Sequence, residues 1–94
     1  MATVVFAPFI QHHVKCPPMV ASGGTVRDVL ETYFQEHHRV RGYILDERGC
    51  LRSRLAVFVD GAIVMDRAAL TDPVHAHAQV FVQVVPLDTE YENL

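Results

Sequence analysis

The sequence predicts an α+β domain in which one main helix covers one face of a four- or five-stranded sheet. Three observations carry this reading. The chain has 94 residues, half of them apolar, enough for one packed core and too few for two. Residues 25–36 combine helical periodicity with a start signal. Short β-rich runs separated by turn residues flank that stretch on both sides.

The elements follow in order. Thr3 to Ala7 is a β-rich run, and Pro8, which cannot donate to a sheet ladder, ends or bulges it. Cys16 to Ala21 is read as a returning strand, made irregular by Pro17-Pro18 and therefore placed at a sheet edge. Ser22-Gly23-Gly24 breaks the chain as a flexible turn. Thr25, with Asp28 three residues on, forms a variant capping box. Val26, Val29, Leu30, Tyr33 and Phe34 then fall on one helical face. Arg27, Asp28, Glu31, Thr32, Gln35 and Glu36 take the opposite side, and the helix ends near His37-His38. Tyr43 to Asp46 reads as a short strand and Glu47-Arg48-Gly49 as a turn. Leu55 to Asp60 alternates cleanly and closes on Asp60-Gly61, a hairpin signal. Ile63 to Met65 is the return, Thr71-Asp72-Pro73 a turn, and Gln79 to Val85 the last strand, ending at Pro86.

One helix of three or four turns covers only one side of such a sheet, so the other side meets solvent or a partner. Alternation assigns the residues. Leu55, Val57 and Val59 share a face, as do Val80, Val82 and Val84. Gln79, Phe81, Gln83 and Val85 share the other, and the two glutamines mark it as outer. Phe58 and Phe81 then sit on the uncovered face and with Val85 are candidate partner-binding residues. In the reverse assignment the two aromatics are core. Charge adds a second candidate. Arg39, Arg41, Arg48, Arg52 and Arg54 crowd the middle of the chain, while Asp88, Glu90 and Glu92 crowd the end before Leu94. Such runs are ordinarily solvated faces. As a docking pattern they make Arg52 and Arg54 partner contacts, with the tail residues Asp88, Glu90, Glu92 and Leu94 adding specificity.

Other function classes are disfavoured. The net charge of −3 argues against a general nucleic-acid binder. The longest apolar run, Met1 to Ile10, is far short of a membrane span and lacks a signal peptide's features, so the expected location is cytoplasmic. Cys16 and Cys50 form neither a CxxC pair nor a zinc spacing and read as free thiols. Six histidines occur: His12, His13, His37, His38, His75 and His77. No spacing makes three of them converge, so they read as solvated loop residues and no metal is expected, although His75 and His77 share a side if that stretch is extended. No nucleophile–base order, paired acid motif, phosphate loop or dinucleotide fingerprint is present, so neither an enzyme nor a cofactor is expected.

Several segments together resemble the MoaD/ThiS family of ubiquitin-like sulfur carriers. Thr25-Val26-Arg27-Asp28-Val29-Leu30 is similar to that family's helix start, and Arg41 to Gly49 to the segment that follows. Val57-Phe58-Val59-Asp60-Gly61 matches its strand and turn. Leu70 to Val74 followed by Gln79 to Val82 is similar to its approach to the last strand. The resemblance implies a β-grasp: a mixed sheet around the helix, with the first and last strands as parallel central neighbours. It spans about residues 3–87, so the domain is read as residues 1–87 and residues 88–94 as an acidic, flexible tail. It further implies a partner, either an E1-like adenylating enzyme or a biosynthetic enzyme subunit. In the family, adenylation and sulfur transfer act on a terminal Gly-Gly, whose lack of Cβ allows the backbone to thread a narrow channel. Here no glycine follows Gly61. The expectation is therefore a non-enzymatic ubiquitin-like binding module of sulfur-carrier ancestry. The alternative is a sulfur carrier for molybdopterin- or thiamine-type biosynthesis. The oligomeric state is not legible.

Overall fold

The computed structural model describes residues 1–85. Its elements are β1 (Ala2–Phe6), α1 (Pro8–Gln11), β2 (Met19–Ala21), α2 (Val26–Glu36), α3 (His38–Ile44), β3 (Leu55–Val59), β4 (Ala62–Ile63) and β5 (Gln79–Val84). The described strands form one five-stranded sheet in the order β2-β1-β5-β3-β4. β1 and β5 are parallel, with Val4 opposite Val80 and Phe6 opposite Val82. The other neighbours are antiparallel. The sheet is mixed and the first and last strands lie at its centre, as a β-grasp requires.

The core lies between this sheet and α2. Val4, Phe6, Val57, Val80 and Val82 from the strands and Val26, Val29, Leu30, Tyr33 and Phe34 from the helix are buried together. Side chains of this size each contribute about 1.5–3 kcal/mol when removed from water. Tyr33 is the centre of the contact. Its ring lies 5.0 Å from that of Phe6, and its hydroxyl donates to the Pro17 carbonyl at 2.7 Å. Burial raises its pKa to about 12. Cys16 is buried nearby, and burial raises its thiol pKa as well, the reverse of what a nucleophile needs.

The start of α2 is fixed from several directions. Thr25 caps it, its hydroxyl accepting from the Asp28 N–H at 3.1 Å. The N–H groups of Val26 and Arg27, orphans of the first turn, donate to the carbonyls of Asp72 and Leu70. Gly23 lets the incoming chain pack directly against this first turn. Its φ is +150°, and a Cβ there would stand 2.7 Å from both the Asp28 Cβ and the Val29 nitrogen. It is a close-contact position, where the sequence reading had only a flexible turn. Two carboxylates organise the receiving loop. Asp66 accepts from the Thr71 hydroxyl and from the Ala69 and Thr71 N–H groups, and these bonds hold its pKa down to about 2. Asp72 accepts from the Met65 and Asp66 N–H groups.

Several expectations are corrected. Tyr43 and Ile44 belong to α3, where a strand was expected; only Leu45 makes a bridge, with Leu51. The helical choice prevails because Val40 and Ile44, four apart, are both buried and because Arg41 grips Glu31 of α2 through two bonds of 3.1 and 2.9 Å. The Arg41 hydrogen bond lowers the Glu31 pKa. Pro8 does end β1, and it also opens α1 from a first-turn position where its missing N–H costs nothing. β2 is shorter than the expected Cys16 to Ala21, Pro17 and Pro18 lying outside it. β4 comprises Ala62–Ile63, while Val64 is buried and donates to the Val57 carbonyl. Arg27, placed on the solvent side of the helix, is half-buried and donates to the carbonyls of Gly49, Ala68 and Ala69 and to Glu31.

Two outcomes test this account. Gly23→Ala is expected to lower unfolding free energy by about 1–3 kcal/mol in urea titration, whereas Gly24→Ala, with nothing within 4 Å of its added carbon, changes it by less than about 0.5 kcal/mol. Asp66 has a folded pKa below its unfolded value, so its stabilisation is complete above about pH 4 and is lost as pH falls toward the folded value of about 2. The Tm gap between wild type and Asp66→Asn should be widest at neutral pH and close on acidification.

Candidate partner-binding face

The three helices of the described chain leave one side of the sheet open, and residue parity along each strand determines what that side displays. In β1, Val4 and Phe6 are buried and Val5 between them is partly exposed. In β5, Val80 and Val82 are buried while Phe81 is partly exposed between the exposed Gln79 and Gln83. In β3, Val57 is buried and Phe58 partly exposed. The expected outward placement of Phe58 and Phe81 therefore holds.

Strand register joins these residues into one row. Val5 pairs with Phe81, Phe81 with Phe58, and Phe58 with Ile63. Four apolar side chains thus cross four adjacent strands at one level, ending at Ile63, which is 52% exposed. Phe58, Phe81, Gln79, Gln83, Asp60 and Gly61 line a shallow concavity of about 290 Å³. The β3–β4 turn forms its rim. Asp60 and Gly61 both have positive φ, 50° and 88°, as a type I′ hairpin requires. Asp60 is also tied to Gln79 twice: its N–H donates to the Gln79 carbonyl and its carboxylate accepts from the Gln79 N–H, both at 2.9 Å. An apolar row rimmed by glutamine and aspartate has the composition of a protein interface, with an apolar centre and a polar edge.

The remaining sequence candidates do not join this row. The Val85 N–H donates to the Arg54 carbonyl at 2.7 Å, so these two extend the β3–β5 ladder at its far end. Arg52 donates to the Gly42 carbonyl at 2.9 Å. Arg52 and Arg54 line a different concavity, beside Phe9 and Tyr43. The candidate tail residues Asp88, Glu90, Glu92 and Leu94 lie outside the described residues. Sequence reasoning missed Val5 and Ile63. The alternation of β1 held the signal for Val5, but the register that brings Ile63 beside Phe58 is a property of the turn.

Among the described residues no group of three histidine, cysteine or carboxylate side chains is placed to hold a metal. His75 and His77 lie in and beside a turn in which His77 has φ +64°, so the extended arrangement that would align them is not adopted. His37 is half-buried and its ring lies 4.8 Å from that of Tyr33, a packing position where a solvated loop residue was expected. No described helix is long and apolar enough to cross a membrane.

No protein-family model matches the sequence, and no curated protein matches it. Solved structures do. A chain of the Amycolatopsis orientalis BexX/CysO complex superposes with a TM-score of 0.78 at 17% identity, covering 92% of this chain and 97% of that one. CysO of Mycobacterium tuberculosis gives 0.77 at 17%, covering 92% and 100%. The small archaeal modifier protein 1 of Methanosarcina acetivorans gives 0.75 at 13%, covering 92% and 93%. At these identities the likeness is one of fold, and it agrees with the ubiquitin-like β-grasp architecture built above.

Proposed function

We propose that this chain is a non-enzymatic, ubiquitin-like binding module of MoaD/ThiS-type ancestry that engages a partner protein through the open face of its sheet. The observation that carries the reading is the row Val5–Phe81–Phe58–Ile63. Its two phenylalanines sit on β3 and β5, whose opposite sides are locked in the core through Val57, Val80 and Val82, so little order remains to be gained on binding. Phe58 and Phe81 are the anchors, since aromatic residues at the centre of a patch carry most of the energy of such contacts. Gln79 and Gln83 supply adaptable hydrogen bonding at the rim. The partner class is an E1-like adenylating enzyme or a biosynthetic enzyme subunit, by resemblance to the family. The work is done in the cytoplasm, the expected compartment. Solved neighbours include a complex, that of BexX with CysO, which supports partner binding by a protein of this shape.

Quantitative capture from the cells that make the protein is the test. Wild type should enrich one protein that Phe58→Asp and Phe81→Asp each lose by at least about tenfold. Both variants should keep the far-ultraviolet dichroism of the wild type. Enrichment untouched by both substitutions would overturn the role of this face.

A second reading, a working sulfur carrier, is favoured by the likeness to CysO and the small archaeal modifier protein. The readings diverge in residues 88–94, outside the described part. Incubation with an E1-like enzyme, ATP and a sulfide donor separates them. The binding-module reading expects an unchanged mass. A gain equal to one oxygen-to-sulfur exchange would establish the carrier, because sulfide attacking an adenylated terminal carbonyl expels AMP and leaves a thiocarboxylate.

A further inference from the structure

A second concavity lies on the helix-covered side of the molecule, and the sheet-face reading does not use it. It holds about 730 Å³ and runs between α1, α3 and the far ends of β3 and β5. Two kinds of residue line it. Phe9 and Tyr43, 58% and 50% exposed, line it together with Leu55 and Val84, and so do Arg52, Arg54 and Arg67. The apolar end continues into a notch of about 150 Å³ lined by Phe9, Ile10, Tyr43, Ile44, Leu55 and Val84, with His13 beside Phe9.

Two of the three arginines of this groove are set in place. Arg52 donates to the Gly42 carbonyl and Arg67 to the Arg52 carbonyl. Carbonyls orient a guanidinium without cancelling its charge. The two ion pairs among the described residues both belong to Glu31, with Arg27 and Arg41, and use none of the three. One acidic residue, Asp46, also lines the groove. One oxygen of its carboxylate accepts from the Arg48 and Cys50 N–H groups, so it closes its own turn. Three cations against one anion leave the groove positive on a chain whose net charge is −3.

We infer that this groove is a docking site for an acidic, extended segment of a partner protein, with one leucine or phenylalanine of that segment filling the notch and flanking carboxylates meeting Arg52, Arg54 and Arg67. The notch matches one apolar side chain in size, a group that a nucleic-acid backbone does not carry. The rims present oriented, fork-shaped donors that match carboxylates. Half-exposed aromatics beside arginines are the composition of energetic centres at interfaces.

The probe is a fluorescein-labelled peptide, Glu-Asp-Glu-Leu-Phe-Glu-Asp, added to the full-length protein, with anisotropy and amide chemical shifts recorded together. Saturable binding is expected, with shifts confined to Phe9, Tyr43, Leu55 and the three arginines. Arg54→Gln and Tyr43→Ala, both exposed and hydrogen-bonded to nothing through their side chains among the described residues, should each weaken it about tenfold. Raising salt from about 20 to about 300 mM should weaken it several-fold. Phe58→Asp should leave it unchanged, which separates this groove from the sheet face. Absence of saturation by about 2 mM peptide, far above the affinity such anchors give, overturns the inference. So does indifference to both groove variants, tighter binding of an oligouridylate, or shifts centred on Phe58 and Phe81. Groove resonances that move with salt alone, and cease to do so in D88N/E90Q/E92Q, would assign the groove to this chain's own acidic residues and equally overturn it.

Discussion

The parallel pairing of β1 with β5 is the constraint on which the rest of the molecule depends. Parallel neighbours cannot be joined by a tight turn, so everything between Phe6 and Gln79 must be a route from one to the other. That route contains the helix that covers the pair, the hairpin that extends the sheet beyond it, and the loop that seats the helix. One side of the pair, formed by Val4, Phe6, Val80 and Val82, must be buried, and α2 buries it. The chain has no second helix of that length among its described elements, so the other side stays open. The open face is in this sense a remainder of the folding problem, held rigid by the half that was solved.

The same logic explains the polar investment in the loops. Residues 66–74 carry two carboxylates that accept five hydrogen bonds between them. They also lend the Leu70 and Asp72 carbonyls to the first turn of α2. Arg27 ties that turn to Gly49 and to Ala68–Ala69. Capping here is local and tertiary at once: Thr25 takes the Asp28 N–H, and a distant loop satisfies those of Val26 and Arg27. If the loop shifts, the start of α2 and the cover over β1 and β5 shift with it.

Legibility in the sequence followed the range of the interactions. α2 was readable because its periodicity, its Thr25 cap and its apolar face are all local. The outward placement of Phe58 and Phe81 was readable because a strand alternates whatever it pairs with. The helix α3 was not readable. Arg39, Arg41, Gly42 and Tyr43 gave no start signal, and the choice rests on Arg41 reaching Glu31 ten residues earlier. Arg27 was misplaced for a related reason: helical parity assigned it to solvent, and only the folded loops bring three carbonyls to it. The site followed the same pattern. Its aromatic pair was legible and its full row was not, because register across four strands is decided by turns and by packing beneath the sheet.

The two edge strands of the sheet are three and two residues long, β2 preceded by Pro17-Pro18 and β4 closed by the Asp60-Gly61 turn. Each offers very little unpaired backbone to another chain. The molecule can therefore display phenylalanine, valine and isoleucine on an open sheet without presenting the long, flat border on which fibrils template. Whatever docks there must come face-on and recognise side chains, and the aggregation hazard that ordinarily accompanies an exposed β surface is contained by the brevity of its margins.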